Sequence, residues 1–242
     1  MNAVGLSDIG LVREVNQDSF FVSHDIDFPL FIIADGMGGH NAGEIASNMA
    51  VDIIKEVFSN NREKLSLQDN IIPIMKDAVE EANRRIYAKS LESSKYTGMG
   101  TTVTIAYICD DNIYIGHVGD SRAYYIDNRT ISQITEDHSL VNELIKNGSI
   151  TVTEAKNHPQ RNLITRAVGT SKDVKVDTFT RKYDGGHLLL ICSDGLTNMI
   201  SEDKILKEIS MHDEIMIICE RLIHNAKVNG GFDNITVIVI KF

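Results

Sequence analysis

The chain contains no run of about 18 apolar residues, the length that a membrane-spanning helix needs. The N-terminal stretch MNAVGLSDIG has neither a basic start nor an apolar segment, so no secretory signal is expected and the expected location is cytoplasmic. Cysteine is scarce: Cys109, Cys192 and Cys219 are odd in number and sit in apolar runs. That usage fits buried thiols in a reducing compartment rather than a disulfide framework. No CxxC pair and no HExxH occurs, which excludes the common zinc sites. Positive charge is also in short supply. Lys and Arg total 24 against 34 Asp and Glu, a formal net charge of −10, which argues against nucleic acid or an anionic membrane as a partner. Proline occurs three times and marks no linker, and no repeat or low-complexity segment is present.

What is present is a regular supply of apolar runs. Hydrophobic residues make up 43% of the 242 positions, enough for one large core. Strand-like runs cover 18–25, 29–35, 101–110, 112–120, 122–126, 187–194 and 234–242, rich in Ile, Val, Tyr and Phe. Three stretches carry helical period. In 43–58 the stripe is Ile45, Met49, Ile53 and Val57, flanked by Ala46, Ala50, Ile54 and Phe58. In 68–91 it is Met75, Ala78, Ala82 and Ile86; in 213–227 it runs from Ile215 to Ala226. Short turns such as Asp110-Asp111 join consecutive strands, and short turns mean antiparallel pairing. The fold class is therefore α+β, with packed antiparallel sheets and helices outside.

Aspartate recurs where these runs begin and end. Asp35 closes FIIAD, Asp120 closes IGHVGD and Asp194 closes LLLICSD; Asp18 and Asp233 stand at the start of others. In antiparallel sheets the start of one strand lies beside the end of its neighbour, so all five carboxylates can reach one rim. A single aspartate at such a place is usually a turn residue or a helix cap. Five together cannot all stay ionised without cations, and oxygen-only ligands suit Mg²⁺ or Mn²⁺. Gly36 and Gly195 each follow an Asp, where glycine permits positive φ and a close approach of backbone to a ligand.

REVNQD (13–18), ADGMGGH (34–40), GTT (100–102), VGDSR (118–122), RAVG (166–169), SDGL (193–196) and GGFDNIT (230–236) follow one another in that order. This series resembles the metal-dependent protein phosphatase family of the 2C type, above all its compact bacterial members. The resemblance spans nearly the whole chain and implies an αββα sandwich over 1–242 as one catalytic domain. It also implies two divalent cations, Mn²⁺ or Mg²⁺. Asp35 would contact both, the Gly36 carbonyl one of them, Asp194 and Asp233 the other, and Asp18 would act through a water. A third, weaker ion would lie between Asp120 and Asp194. Arg13 matches the family's phosphate-binding arginine, and Asn234 would order the loop around Asp233. Residues 144–165 stand where the family carries a flap beside the site; an ordinary helix–loop–helix connection reads the same way.

The implied activity is hydrolysis of phosphoserine and phosphothreonine on proteins by a metal-activated water. The implied partners are phosphoproteins and a cognate Ser/Thr kinase, with the enzyme a monomer. His40 is the candidate proton donor to the leaving oxygen. Many eukaryotic members have a histidine directly after the DG; this chain has Met37 there, so a helix-entry role for His40 stays open. His117 and His138 read as structural. A cysteine-based phosphatase needs an arginine six positions after its thiolate, and Ile115, Asn198 and Asn225 stand there instead. An aspartyl-phosphate mechanism would want a second Asp where Met37 stands, and a P-loop is absent. The alternative from another class is a phosphatase fold kept as a non-catalytic binding or sensing module. Such modules usually lose metal ligands, and here the aspartates and Arg13 are all present.

Overall fold

A computed structural model describes residues 1–39, 42–127 and 129–242. Strands β1 (Asn2–Asp8), β2 (Asp18–Val22) and β3 (Leu30–Met37) precede two long helices, α1 (Ala42–Asn60) and α2 (Gln68–Ser90). There follow β4 (Gly100–Thr101), β5 (Val103–Cys109), β6 (Asn112–Val118), β7 (Arg122–Ile126) and β8 (Ile131–Gln133). Two short helices, α3 (Leu140–Lys146) and α4 (Val152–Lys156), lead to β9 (Asp177–Lys182) and β10 (Leu188–Cys192). The chain ends with α5 (Asp194–Thr197), α6 (Glu202–Met211), α7 (Ile215–Val228) and β11 (Ile235–Lys241).

The strands form two antiparallel sheets. One runs in the order β1-β11-β10-β7-β8, the other β2-β3-β5-β6-β9 with β4 paired to β3. Side chains alternate between faces with a period of two. On β3, Phe31 and Ile33 point into the space between the sheets, where they meet Ile115, Leu189, Ile191 and Ile238. Leu30, Ile32 and Ala34 point the other way, onto α1 and α2. Helices α6 and α7 cover the outer face of the first sheet in the same manner. Both faces of each central strand are covered, which is why FIIA reads as an unbroken apolar run.

The layers are the αββα order expected, with corrections in detail. β1 is absent from the expected strands because it carries little pattern: it is half-buried along its length, and Gly5 is bare because Phe20 and Val22 lie over it, 2.7 Å from where a β-carbon would stand. β9 is an edge strand with three exposed polar residues, so it too lacks the apolar signal. β8 and α6 are further elements the pattern did not mark. On α1 the fully buried row is Ala46, Ala50, Ile54 and Phe58, while Ile45, Met49 and Val57 are only partly buried. The small alanines allow the helix to sit close on its sheet, so the core face lies one position beyond the expected stripe. Of the thiols, Cys109 is half-buried; Cys192 and Cys219 are buried, and all three are free.

Three of the aspartates lie just outside their strands. β6 stops at Val118, β10 at Cys192, and β11 begins at Ile235. Asp120 and Asp233 therefore stand in connections, and Asp194 opens α5. The chain passes between the sheets four times: in 9–17, between β1 and β2; in 119–121, between β6 and β7; in 134–176, between β8 and β9; and in 183–187, between β9 and β10. Neither Gly36 nor Gly195 has positive φ. Their missing side chains serve close packing instead: a β-carbon on Gly36 would run into the Gly43 carbonyl at the start of α1, and one on Gly195 into the Asn234 carbonyl. Gly36→Ala should therefore lower the urea-unfolding free energy by about 2 kcal/mol or more, as overpacking against backbone does. Gly185→Ala, which meets nothing within 4 Å, should stay within about 0.5 kcal/mol.

Candidate active site

Asp18 and Asp35 are directly opposite each other in the β2–β3 pair. Strand pairing alone sets these two carboxylates side by side. The Asp35 backbone is then fixed by the two threonines of the GTT motif. Its carbonyl accepts from Thr102 N at 2.8 Å and from Thr101 Oγ1 at 2.9 Å, and its N–H donates to Thr102 Oγ1 at 3.0 Å. Thr102 Oγ1 also meets Ser121 Oγ at 2.8 Å, which links Asp35 to the residue after Asp120.

Asp18 is held from the opposite sheet. Its Oδ2 accepts from Ser193 Oγ at 2.8 Å and from Thr236 Oγ1 at 2.6 Å. Since Thr236 donates there, the 2.7 Å bond from Ser7 Oγ must be donated to it, and Asn16 Nδ2 donates to Ser7 in turn. The relay leaves one carboxylate oxygen doubly bonded. The other, Asp18 Oδ1, is buried with no partner among the described residues. Sequence reasoning missed Ser7, Asn16, Ser193 and Thr236; only the positions of Asn16, Ser193 and Thr236 within the motifs REVNQD, SDGL and GGFDNIT hinted at them.

The five aspartates share one electrostatic field. Burial first, then Asp18, Asp194, Asp120 and Asp233, hold the Asp35 carboxyl well above its ordinary range. Burial, against the hydrogen bonds from Thr236 and Ser193, pushes Asp18 up to about 7. Burial with Asp194 nearby pushes Asp120 up to about 8. Burial and Asp233 push Asp194 up to about 6, relieved by hydrogen bonds from Asp35 and Asn198. A carboxyl that shares a proton with its neighbour marks a place where positive charge is wanted.

These residues fit divalent cations. The donors are all oxygens, one buried carboxylate oxygen has no partner among the described residues, and the charges repel. Among the described residues no three Asp, Glu, His or Cys side chains converge as a ready-made cage. That suits a hard ion such as Mg²⁺, which takes one or two carboxylates and keeps several waters. Asp18, Asp35, Asp120, Asp194 and Asp233 are the side chains that could hold such ions.

Arg13 reaches the same rim from the crossing loop. Its guanidinium donates to Asp233 Oδ2 at 2.8 Å and is half exposed. That bond first, with Asp35 and Asp194 behind it, holds the arginine's charge more firmly. Asn234 is buried and ties the loop at its neck: Nδ2 donates to the Ile9 and Val15 carbonyls at 3.0 and 3.1 Å, and Oδ1 accepts from Gln17 N at 2.8 Å.

The histidines divide. His40 lies outside the described residues. His117 is buried against Thr104 and burial drives it down to about 3, so it is neutral. His138 clamps the β6–β7 crossing: its N–H donates to the Gly119 carbonyl at 2.8 Å and its Nδ1 accepts from Gly119 N at 3.0 Å. Nε2 therefore carries the proton and donates to Asp177 at 3.0 Å. Residues 144–165 hold the end of α3, all of α4 and irregular chain, rooted where Ser139 bridges Ile164. Burial raises all three thiols, Cys192 and Cys219 to about 12, so none is a thiolate nucleophile.

Residues 12–229 match the family model described as protein phosphatase 2C. The chain belongs to the protein phosphatase 2C family. It is 37% identical over 242 residues to the serine/threonine phosphatase stp of Listeria monocytogenes serotype 4b (strain F2365), covering all of this chain and 96% of that one. Among solved structures it resembles the serine/threonine phosphatase Stp1 of Staphylococcus aureus, with a TM-score of 0.93 at 36% identity over 99% of this chain and 94% of that one. It also resembles the catalytic domain of the phosphatase PstP solved with two manganese ions, with a TM-score of 0.86 at 33% identity over 98% of this chain and 96% of that one. No helix among the described residues is long and apolar enough to cross a membrane.

In this phosphatase 2C fold the crowded carboxyls set a pH dependence. Asp18, Asp120 and Asp194 each have a folded pKa raised above the ordinary value, so their contribution is favourable below about pH 4 and lost as pH rises through 6 to 8. Ion-free protein should lose stability over that window. Mn²⁺ should raise the melting temperature more at pH 8 than at pH 5; equal shifts at the two values would contradict this field.

Proposed function

We propose that the chain is a metal-dependent serine/threonine protein phosphatase that hydrolyses phosphoserine and phosphothreonine on proteins at a binuclear Mn²⁺ or Mg²⁺ centre. The observation that carries it is the gathering of four carboxylates, Asp18, Asp120, Asp194 and Asp233, around Asp35, with Arg13 on the same rim. Family membership and the names of the relatives point the same way. Asp35 would hold both cations, the Gly36 carbonyl one, Asp194 and Asp233 the other, with Asp18 acting through a water. Bound there, a pair of such cations lowers the pKa of a shared water toward neutrality and so supplies a nucleophile without serine or cysteine. Asp120 with Asp194 would hold a third.

The chain's own residues do the rest. Arg13 offers a planar fork to the equatorial oxygens of the phosphoryl group, where charge must be stabilised as phosphorus is attacked. Its bond to Asp233 keeps the guanidinium at the rim before a phosphate arrives. Asn234 keeps the Arg13 loop and Asp233 in one register, since it grips Ile9 and Val15 and is itself next to Asp233. The relay from Asn16 through Ser7 and Thr236 fixes the Asp18 carboxylate with its bare oxygen free to accept. His40 is our candidate for protonating the departing seryl or threonyl oxygen. Residues 144–165 act as a flap on a single domain of residues 1–242, and the enzyme works as a cytoplasmic monomer opposite a Ser/Thr kinase.

Hydrolysis of a phosphothreonine peptide and of p-nitrophenyl phosphate should require Mn²⁺ or Mg²⁺ and stop with chelator. Asp35→Ala/Asp233→Ala should abolish it, and Arg13→Ala should cut kcat/KM by about a hundredfold, the loss typical of one preorganised donor. His40→Ala should move the alkaline limb of the pH–rate profile. Chelator-resistant turnover, or full activity in the double variant, would refute the metal assignment; an unmoved limb would remove His40 as the acid.

A further inference from the structure

The loop that carries Arg13 exposes more apolar surface than its own fold uses. Leu11 is 63% exposed, Val12 59% and Phe232, across the gap beside Asp233, 61%. Other exposed apolar residues, such as Ile26, Leu67 and Leu91, are far in sequence from Arg13 and Asp233, and scattered exposure of that kind is ordinary. Here Leu11 and Val12 directly precede Arg13, and Phe232 directly precedes its partner Asp233. The two segments are joined by the Leu11 N–H donating to the Gly231 carbonyl at 2.8 Å. A β-carbon on Gly231 would stand 3.0 Å from Leu11 Cγ, and one on Gly230 within 2.5 Å of the Phe232 ring, so leucine and phenylalanine flank one glycine turn.

Polar ties shape this loop, not its apolar side chains. Asn234 closes the neck, Gly10 N donates to Asp8 Oδ1 at 2.8 Å, and Lys227 Nζ holds Asp8 Oδ2 at 2.8 Å. Gly10 and Gly231 supply positive φ, at 82° and 52°, where the chain turns. The loop is thus built in advance, and its apolar side chains have no internal work.

We infer that Leu11, Val12 and Phe232 form a recognition collar for an apolar residue adjacent to the phosphorylated serine or threonine of a substrate segment. The inference rests on the phosphatase reading above. Its occupant follows from continuity with Arg13. A phosphate held by that guanidinium, beside Asp233, places the next residues of an extended peptide about 3.5 Å per position away, against the collar. An acidic neighbour would meet Glu14 and the rim carboxylates, in a chain whose net charge is already −10. An apolar neighbour sheds water on both sides.

The test is a panel of phosphothreonine peptides that differ only in the residues flanking the phosphothreonine: Leu, Val, Ser, Glu or Lys, assayed with Mn²⁺. The wild-type chain should turn over the Leu- and Val-flanked peptides with kcat/KM about tenfold above the Ser-flanked one, as partial burial of one aliphatic side chain allows. L11S/V12S, and separately F232S, should bring that ratio toward one. The ratio is read within each protein, so altered folding of a variant does not imitate the result. A wild-type ratio near one, or a ratio that survives both variants, overturns the collar while leaving the phosphatase reading intact. Failure to hydrolyse any peptide overturns both. A dimer in sedimentation that L11S/V12S dissolves would assign the surface to a second copy of the chain and overturn the inference.

Discussion

Five carboxylates crowded at one end of two packed sheets repel one another, and that repulsion is the constraint to which the surrounding structure responds. Left to solvent, each aspartate would ionise near its usual value. Here burial and proximity hold Asp35, Asp18, Asp120 and Asp194 above it. Such an arrangement costs stability, and the fold accepts it only because neighbouring groups are placed against it. Ser193 and Thr236 donate to Asp18, Asn198 donates to Asp194, and Arg13 donates to Asp233. The remaining need for positive charge is what divalent cations meet.

The topology explains why these residues coincide. Two of the chain's four crossings between sheets, at 9–17 and 119–121, bring Arg13 and Asp120 to the end where β2, β3, β10 and β11 present their own aspartates. Asn234 is the joint between the parts. It sits beside Asp233, accepts from Gln17 next to Asp18, and grips both ends of the Arg13 loop. The groups proposed to hold metal and phosphate are thus registered through one buried carboxamide. Its loss would disturb both at once.

Much of this was legible in the sequence, and the reasons for the remainder are physical. Aspartate at the ends of apolar runs, followed by glycine, located the rim, because strand ends are the only places where a core sandwich opens to ions. The α+β class followed from short turns between strands. Two edge strands were not legible: β1 and β9 are half-exposed, and neither shows an apolar run. The α1 stripe was displaced by one position because Ala46 and Ala50, weakly apolar in sequence, are what the sheet lies against. Gly36 and Gly195 were given torsional freedom they do not use; their role depends on Gly43 and Asn234, contacts a linear reading does not display. The Asp18 relay joins residues such as Ser7 and Thr236, 229 positions apart, and no local pattern announces such a pair.

The central claim is that this carboxylate cluster is a two-cation site. Counting Mn²⁺ ions bound per chain, by equilibrium dialysis with electron paramagnetic resonance of the bound fraction, tests it most directly. The account predicts at least two ions per chain with the spectrum of a magnetically coupled pair, and loss of that coupling in Asp35→Ala. A single uncoupled ion, or binding unaffected by Asp35→Ala, would contradict it.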